Sequence, residues 1–259
     1  DGKITTANFC RERLCPMCQR RRSLRTYSDF CKILSDLKGF AFLHLVLTVP
    51  NCEASELRQT LRYMELCSSR LFKVNKVERA FRGVARCTEV TYNKRLDNYH
   101  PHFHCLVAVK KSYFTSRDYL NHKTLCDLWS VLWKLRLSNL RRLKDDEIFS
   151  QMSNLLDTEK LQLHITKADK GALPEIAKDA VKPLEMDLTR KERAEVLQSL
   201  YEALKSKRMI QTFGVMKDAA KKCKVDFAEC VDIDTFDKIT KALYTFNYGA
   251  LHYERKELI

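Results

Sequence analysis

An α+β protein, with one antiparallel sheet and helices packed on it, is the architecture the sequence predicts. Three observations lead there. Short apolar runs recur along the chain, stretches with apolar residues at helical spacing alternate with them, and two of the short runs flank a charged turn as a hairpin would. The chain has 259 residues, 45% of them apolar and 31% charged, enough for one large domain or two small ones around a real core. Six Gly and five Pro exclude collagen-like or linker-dominated organisation.

The elements follow in order. A cysteine-bearing knuckle over residues 7–19 leads into a basic helical stretch, Gln19 to Lys38, that opens with Arg20, Arg21, Arg22 and Arg25. Phe40 to Val49 is too short and too apolar for an amphipathic helix and reads as a buried strand ended by Pro50. Leu57, Leu61, Met64 and Leu71 stand at helical spacing and predict one long helix over residues 54–80. Gly83 to Asn93 and Pro101 to Val109 read as strands on either side of a hairpin turn, Lys94 to Asn98. Trp129 and Trp133 lie one helical turn apart in a helix over residues 117–136, and residues 137–158 form a polar connector ending in a short helix. Leu161 to Thr166 alternates like a strand. Pro174 falls in the first turn of a helix that Glu175 to Lys182 continues. Leu188 to Lys205 is a helix, Met209 to Phe213 a short strand, and Ala219 to Cys223 lies in a helix. Three regions result: a knuckle with its basic helix (1–38), the sheet-bearing palm (39–188) and a C-terminal extension packing on the palm (189–259).

Lys and Arg number 47 against 33 Asp and Glu, a formal net charge of +14. That excess argues against a basic partner and for a polyanion, with nucleic acid first and an anionic membrane second. No apolar run approaches the roughly 20 residues of a membrane span, and the first residues lack the apolar core of a signal peptide. An intracellular setting without membrane contact is expected. Eleven Cys, an odd number, fit a reducing compartment in which some thiols serve a metal.

Tyr99-His100-Pro101-His102-Phe103-His104 is the most informative segment. Alternate side chains of a strand share a face, so His102 and His104 project together while Phe103 points away. Folding the hairpin symmetrically about Leu96 and Asp97 places Glu89 opposite His104, and a slip of one residue would turn Glu89 away. Two imidazoles and a carboxylate suit a divalent ion acting as a Lewis acid on a phosphate. The plainer reading is a strand whose core histidines are satisfied by other groups. His100 shares the face as a further ligand, an outer group or a phosphate donor.

The second cluster is Cys10, Cys15 and Cys18, whose spacing points thiolates at one structural Zn²⁺. A closed site needs a fourth ligand; Cys31, Cys52, Cys87 and His122 are available, none with compelling spacing. The arginines beside it offer a phosphate-contacting surface, or simply a solvated helix face.

In this order, Phe9-Cys-Arg-Glu-Arg-Leu-Cys-Pro-Met-Cys18, Leu47-Thr-Val-Pro-Asn51, Glu89-Val-Thr-Tyr-Asn93 and His100-Pro-His-Phe-His104 resemble the replication initiators of small bacterial rolling-circle plasmids. These form a branch of the HUH endonuclease superfamily, and the similarity runs over residues 8–215. The resemblance implies an RRM-like or ferredoxin-like sheet whose central strands carry the HUH histidines. It implies Mn²⁺ or Mg²⁺ held by Glu89, His102 and His104 against a scissile phosphate at the plasmid's origin. It also implies a tyrosine that attacks phosphorus, leaving a 5′-phosphotyrosine and a 3′-OH primer, and a Glu before it that activates water at termination.

Glu175-Ile-Ala-Lys178 matches the start of that last motif, but the tyrosine position holds Asp179. An ungapped match keeps Val181 and Lys182 in register; a gapped match leaves the tyrosine-bearing residues out altogether. A carboxylate attacking phosphorus would leave a labile acyl phosphate. Glu175 and Asp179 share a helix face at i, i+4, so Asp179 could instead sit beside the metal, or the pair could be an ordinary solvated face. Tyr244, Tyr248 and Tyr253 do not match the family's spacing and read as core or DNA-stacking residues. Lys178 and Lys182 join Arg20, Arg21, Arg22 and Arg25 as candidate DNA contacts. The implied partners are origin DNA, a host helicase and a second copy of the chain, in a bacterial cytoplasm. The rival classes are a non-enzymatic, zinc-containing DNA-binding module and a transposase of the same superfamily.

Overall fold

Strands β3 and β4 are apolar at both parities, so both of their faces need covering, and the structure covers both. The computed structural model describes residues 4–6, 13–156, 160–168, 188–227, 242–247 and 252–256. Its elements are β1 (Ile4–Thr6), α1 (Pro16–Asp36), β2 (Phe40–Thr48), α2 (Ala54–Leu71), α3 (Asn75–Ala80), β3 (Gly83–Asn93) and β4 (Asn98–Lys110). After a single turn of 3₁₀-helix come α4 (His122–Lys134), α5 (Asp145–Met152), β5 (Leu163–Lys167), α6 (Arg190–Leu204), β6 (Ile210–Gly214) and α7 (Val215–Lys222). The last two elements are β7 (Ala242–Asn247) and β8 (His252–Lys256).

The central sheet has five strands in the order β5-β2-β4-β3-β6, and every neighbouring pair is antiparallel. Its first four strands arise from two interleaved β-α-β units, β2-α2-β3 and β4-α4-β5. On one face Leu43, Leu45, Leu47, Phe103, Cys105 and Val107 pack against Met64 and Leu71 of α2 and Leu125, Trp129 and Leu132 of α4. The Trp129 indole donates to the Thr48 carbonyl at 2.6 Å, so this large side chain is buried with its polar atom satisfied. On the other face Ala85, Cys87, Leu106 and Ala108 are covered by Phe30 and Ile33 of α1, by Leu37 just after it, and by Met216, Ala219 and Ala220 of α7. Small residues on the strands let these helices approach closely. Helices therefore occupy both faces of the sheet.

Several boundaries differ from the sequence reading for local reasons. Helix α1 begins at Pro16, which presets the first helical turn. The stretch predicted as one helix over 54–80 breaks after Leu71, where Phe72 and Val74 turn into the core and Val74 is extended. Asp145 compensates, accepting from the Asn75 amide at 2.8 Å and from the Arg70 guanidinium at 2.6 Å. Helix α4 starts later than expected because Asn121 caps it, its side-chain oxygen accepting from the Thr124 amide. Helix α5 lies inside the polar connector, nucleated by Asp145, Asp146 and Glu147 in its first turn.

Beyond the palm, α6 packs on α2 and β6 extends the sheet beside β3, with Gly214 opposite Gly83. The chain passes straight from β6 into α7 at Gly214, whose φ is +54°. A Cβ there would fall on the Arg82 carbonyl oxygen, and one at Gly83 would press on the Val215 and Met216 amide nitrogens. Gly214→Ala should therefore cost roughly 2–5 kcal/mol, the sum of a left-handed backbone and an overpacked contact. Urea unfolding would measure it, and a change below about 1 kcal/mol would show that the junction relaxes freely. A second sheet, β1-β7-β8, has β1 parallel to β7 and β7 antiparallel to β8; the sequence reading placed no strands there. The predicted helix over 175–182, with Glu175, Lys178, Asp179 and Lys182, lies outside the described residues, as do Cys10 and Tyr248. Among the described residues no helix is long and apolar enough to cross a membrane.

Candidate metal centre

The hairpin turn sets the site. Asn93 pairs with Asn98 and the loop between them centres on Arg95 and Leu96. Asp97 takes a left-handed conformation, with φ of 47°, and its carboxylate accepts from the Tyr92 hydroxyl at 2.8 Å. Asn93 accepts from the Leu96 amide. These local bonds close the loop one residue earlier than a turn centred on Leu96 and Asp97 would. Glu89 consequently stands opposite His102, and Cys87 stands opposite His104, which corrects the predicted pairing of Glu89 with His104. The shift is two residues, so parity is preserved and Glu89 stays on the histidine face.

The three side chains converge. Glu89 Oε2 lies 2.9 Å from His102 Nε2 and 2.7 Å from His104 Nε2. All three residues are buried, at 3%, 7% and 8% relative exposure, and their ligand atoms lie within 4.8 Å of one another. Among the described residues no other group of three or more His, Cys, Asp and Glu side chains has this metal-ligating geometry. Burial by itself raises the Glu89 pKa, but the contacts with His102 and His104 outweigh it and hold the carboxyl well below the usual carboxylate range. Glu89 is therefore an anion at neutral pH.

The donor set fits a cation. His102 Nδ1 faces the His100 carbonyl at 3.3 Å, a group that can only accept, so Nδ1 can carry the ring hydrogen when Nε2 serves a cation lying between it and Glu89. His104 Nε2 is buried without a hydrogen-bond partner among the described residues, although Glu89 Oε2 is close. Two imidazole nitrogens and a carboxylate oxygen aimed at one point are the donors of an N/O divalent-metal site.

Around the trio, β2 supplies two features the sequence reading missed. His44 Nε2 lies 3.0 Å from His104 Nδ1. Beyond Pro50 the chain re-pairs with β4 through two backbone bonds between Cys52 and Tyr99, each 2.9 Å. Asn51 is thereby set beside β4, its side-chain oxygen accepting from His100 Nδ1 at 2.8 Å and its amide donating to Asn98 Oδ1 at 2.9 Å. His100 thus belongs to an outer network and not to the ligand trio. Toward β5 the same sheet face carries half-buried Val46 and Thr48, then exposed His164 and Thr166. Tyr92 and Tyr99 pair on the opposite face, so neither can reach the trio.

The remaining candidates are more dispersed. Cys15 occupies the N-cap position of α1 and Cys18 is buried one turn later, and no third ligand joins them among the described residues. Cys52 and Cys87 belong to apolar clusters, and burial pushes both thiols up. His122 contacts the Leu163 carbonyl at 2.7 Å. Along α1, Arg20 and Arg25 are exposed, while Arg21 and Arg22 are half-buried. Arg22 donates to the Arg13 carbonyl, and Arg13 reaches the Leu204 and Lys207 carbonyls at the end of α6.

These features define a protein with a candidate divalent-metal centre on the face of an antiparallel sheet. A family model described as "Replication protein" (Rep_1) matches residues 1–254, and the chain belongs to that replication-protein family. It is 31% identical to a Streptococcus pneumoniae serotype 2 protein named "Protein rep", over 97% of this chain and 77% of that one. Proteins of the same name from Bacillus amyloliquefaciens and a Bacillus species are 30% and 31% identical, each over 89% of this chain and over 69% and 76% of their own lengths. No solved structure matches the chain.

Proposed function

We propose that the chain is the initiator of rolling-circle plasmid replication, an HUH-type nickase that cuts one strand at the double-strand origin. The observation that carries this reading is the convergence of His102 Nε2 and His104 Nε2 on Glu89 Oε2 across a strand pair. The interleaved β-α-β order supports the ferredoxin-like palm that the HUH reading requires. Family membership and the excess of basic charge support origin DNA as the partner.

Glu89, His102 and His104 would hold Mn²⁺ or Mg²⁺. A bound divalent ion supplies Lewis-acid polarisation of a phosphate oxygen. The residues of the chain do the rest. Glu89 contributes the compensating negative charge, and the His102 ring is oriented by the His100 carbonyl. The half-buried strip from Thr48 toward His164 and Thr166 is a route by which a DNA backbone reaches the trio. Exposed Arg20 and Arg25, with Arg21, Arg22, Lys178 and Lys182, are assigned to phosphate contacts, and Cys10, Cys15 and Cys18 to a structural Zn²⁺. Glu175 would activate the terminating water. A nickase that primes a fork needs strand separation ahead of it, which implies a host helicase; a second copy of the chain is a further candidate partner.

An origin hairpin incubated with Mn²⁺ and either this chain or its Asp179→Tyr variant tests the reading. Strand cleavage that disappears on His102→Ala is the expected result, with DNA affinity falling steeply as salt rises. Binding without cleavage by both proteins would identify a non-enzymatic DNA-binding module.

A further inference from the structure

His44 is a histidine within an otherwise apolar strand, where an imidazole needs a reason to be. It lies on β2 opposite Leu106, and its strand neighbour Val46 lies opposite His104. Parity therefore puts His44 on the face of the sheet that carries Glu89, His102 and His104. His44 is 6% exposed, and its ring meets that of His104 edge to edge, with centroids 5.2 Å apart and planes 20° from parallel. The Nε2 to Nδ1 distance between the two rings is 3.0 Å.

The chemistry of this contact is restrictive. A neutral imidazole carries one ring hydrogen, and the nitrogen that binds a metal must be the other one. For His104 to offer Nε2 to a cation at the trio, its hydrogen must sit on Nδ1 and needs an acceptor there. For His102 that acceptor is the His100 carbonyl. For His104 it is the Nε2 lone pair of His44, which requires the His44 hydrogen to be on Nδ1. We propose that His44 is a positioning residue that locks His104 in the Nδ1–H tautomer and orients its Nε2 into the Glu89 trio. The proposal rests on the reading of that trio as a metal centre.

Two readouts test it, and neither is activity. With Mg²⁺ bound, ¹⁵N ring correlations should show the His104 hydrogen on Nδ1, with a through-hydrogen-bond coupling to His44 Nε2. His44→Leu should weaken Mn²⁺ binding, measured by electron paramagnetic resonance, by about 10–100-fold, the usual effect of losing such an outer partner. His44→Gln, whose side-chain oxygen can accept from Nδ1, should restore most of the affinity. His44→Phe keeps a planar ring without the acceptor and replaces the Leu variant should that one fail to fold. Absence of that coupling from the unmutated Mg²⁺-bound protein, or unchanged Mn²⁺ affinity in the Leu or Phe variant, would overturn the proposal while leaving the trio intact. Mn²⁺ binding that is absent from the unmutated protein would overturn the metal reading, and the proposal with it.

Discussion

Glu89→Ala should weaken Mn²⁺ binding by more than about 100-fold, because changes to outer partners alone cost about 10–100-fold and Glu89 is a direct donor. The carboxylate is the one anion in the trio, and its Oε2 is the point on which both imidazoles converge, at 2.9 and 2.7 Å. Without it, two neutral nitrogens must hold a dication in a buried place, and the ion loses its charge compensation. Glu89→Gln separates charge from shape: it keeps an oxygen in the same volume and should recover little affinity. On the proposed nickase reading, cleavage of an origin hairpin should fall with the metal affinity in both variants. Titration followed by electron paramagnetic resonance measures the binding step, and affinity retained in Glu89→Ala would place the cation elsewhere.

Asp179→Tyr is the second variant with a large expected effect. Attack by a tyrosine oxygen on the scissile phosphorus forms an O–P bond, breaks the bond to the 3′ oxygen and leaves that oxygen protonated as a 3′-OH. The product is a phosphodiester, stable to denaturant, that keeps the energy of the cleaved bond for later rejoining. The same attack by the Asp179 carboxylate gives an acyl phosphate that water cleaves quickly. The Tyr variant should therefore yield a covalent protein–DNA adduct on a denaturing gel with an origin hairpin and Mn²⁺, and the unmutated chain none. A stable adduct formed by the unmutated chain would mean that another of its side chains is the nucleophile. No adduct from either protein would remove position 179 from the reaction.

The two sources of information, pattern and register, explain how much the sequence discloses. Strands β3 and β4 are legible because each is a short, largely apolar run and the turn between them is short and charged. The parity of Glu89, His102 and His104 follows at once, whereas the exact pairing depends on where the loop closes. Asp97 in its left-handed conformation and the Asn93 side chain decide that, and no spacing rule anticipates them. His44 is hidden for a different reason. Its parity relative to β4 is fixed only by the register of two strands far apart in sequence, and alone it is an isolated histidine in an apolar run. Asn51 is hidden because the chain resumes pairing with β4 after Pro50, a long-range event. The break after Leu71 is invisible to helical periodicity, since Phe72 and Val74 are themselves apolar and continue the pattern. The coverage of both sheet faces can be read afterwards in Ala85, Cys87 and Ala108, whose small size matters only once α1 and α7 are known to lie over them.

The most direct test is an anomalous-scattering map from crystals of the protein grown with Mn²⁺. The account predicts a peak bonded to Glu89 Oε2, His102 Nε2 and His104 Nε2, with coordination positions left for phosphate oxygens. A trio with no peak, alongside manganese bound at some other group of side chains, would contradict it.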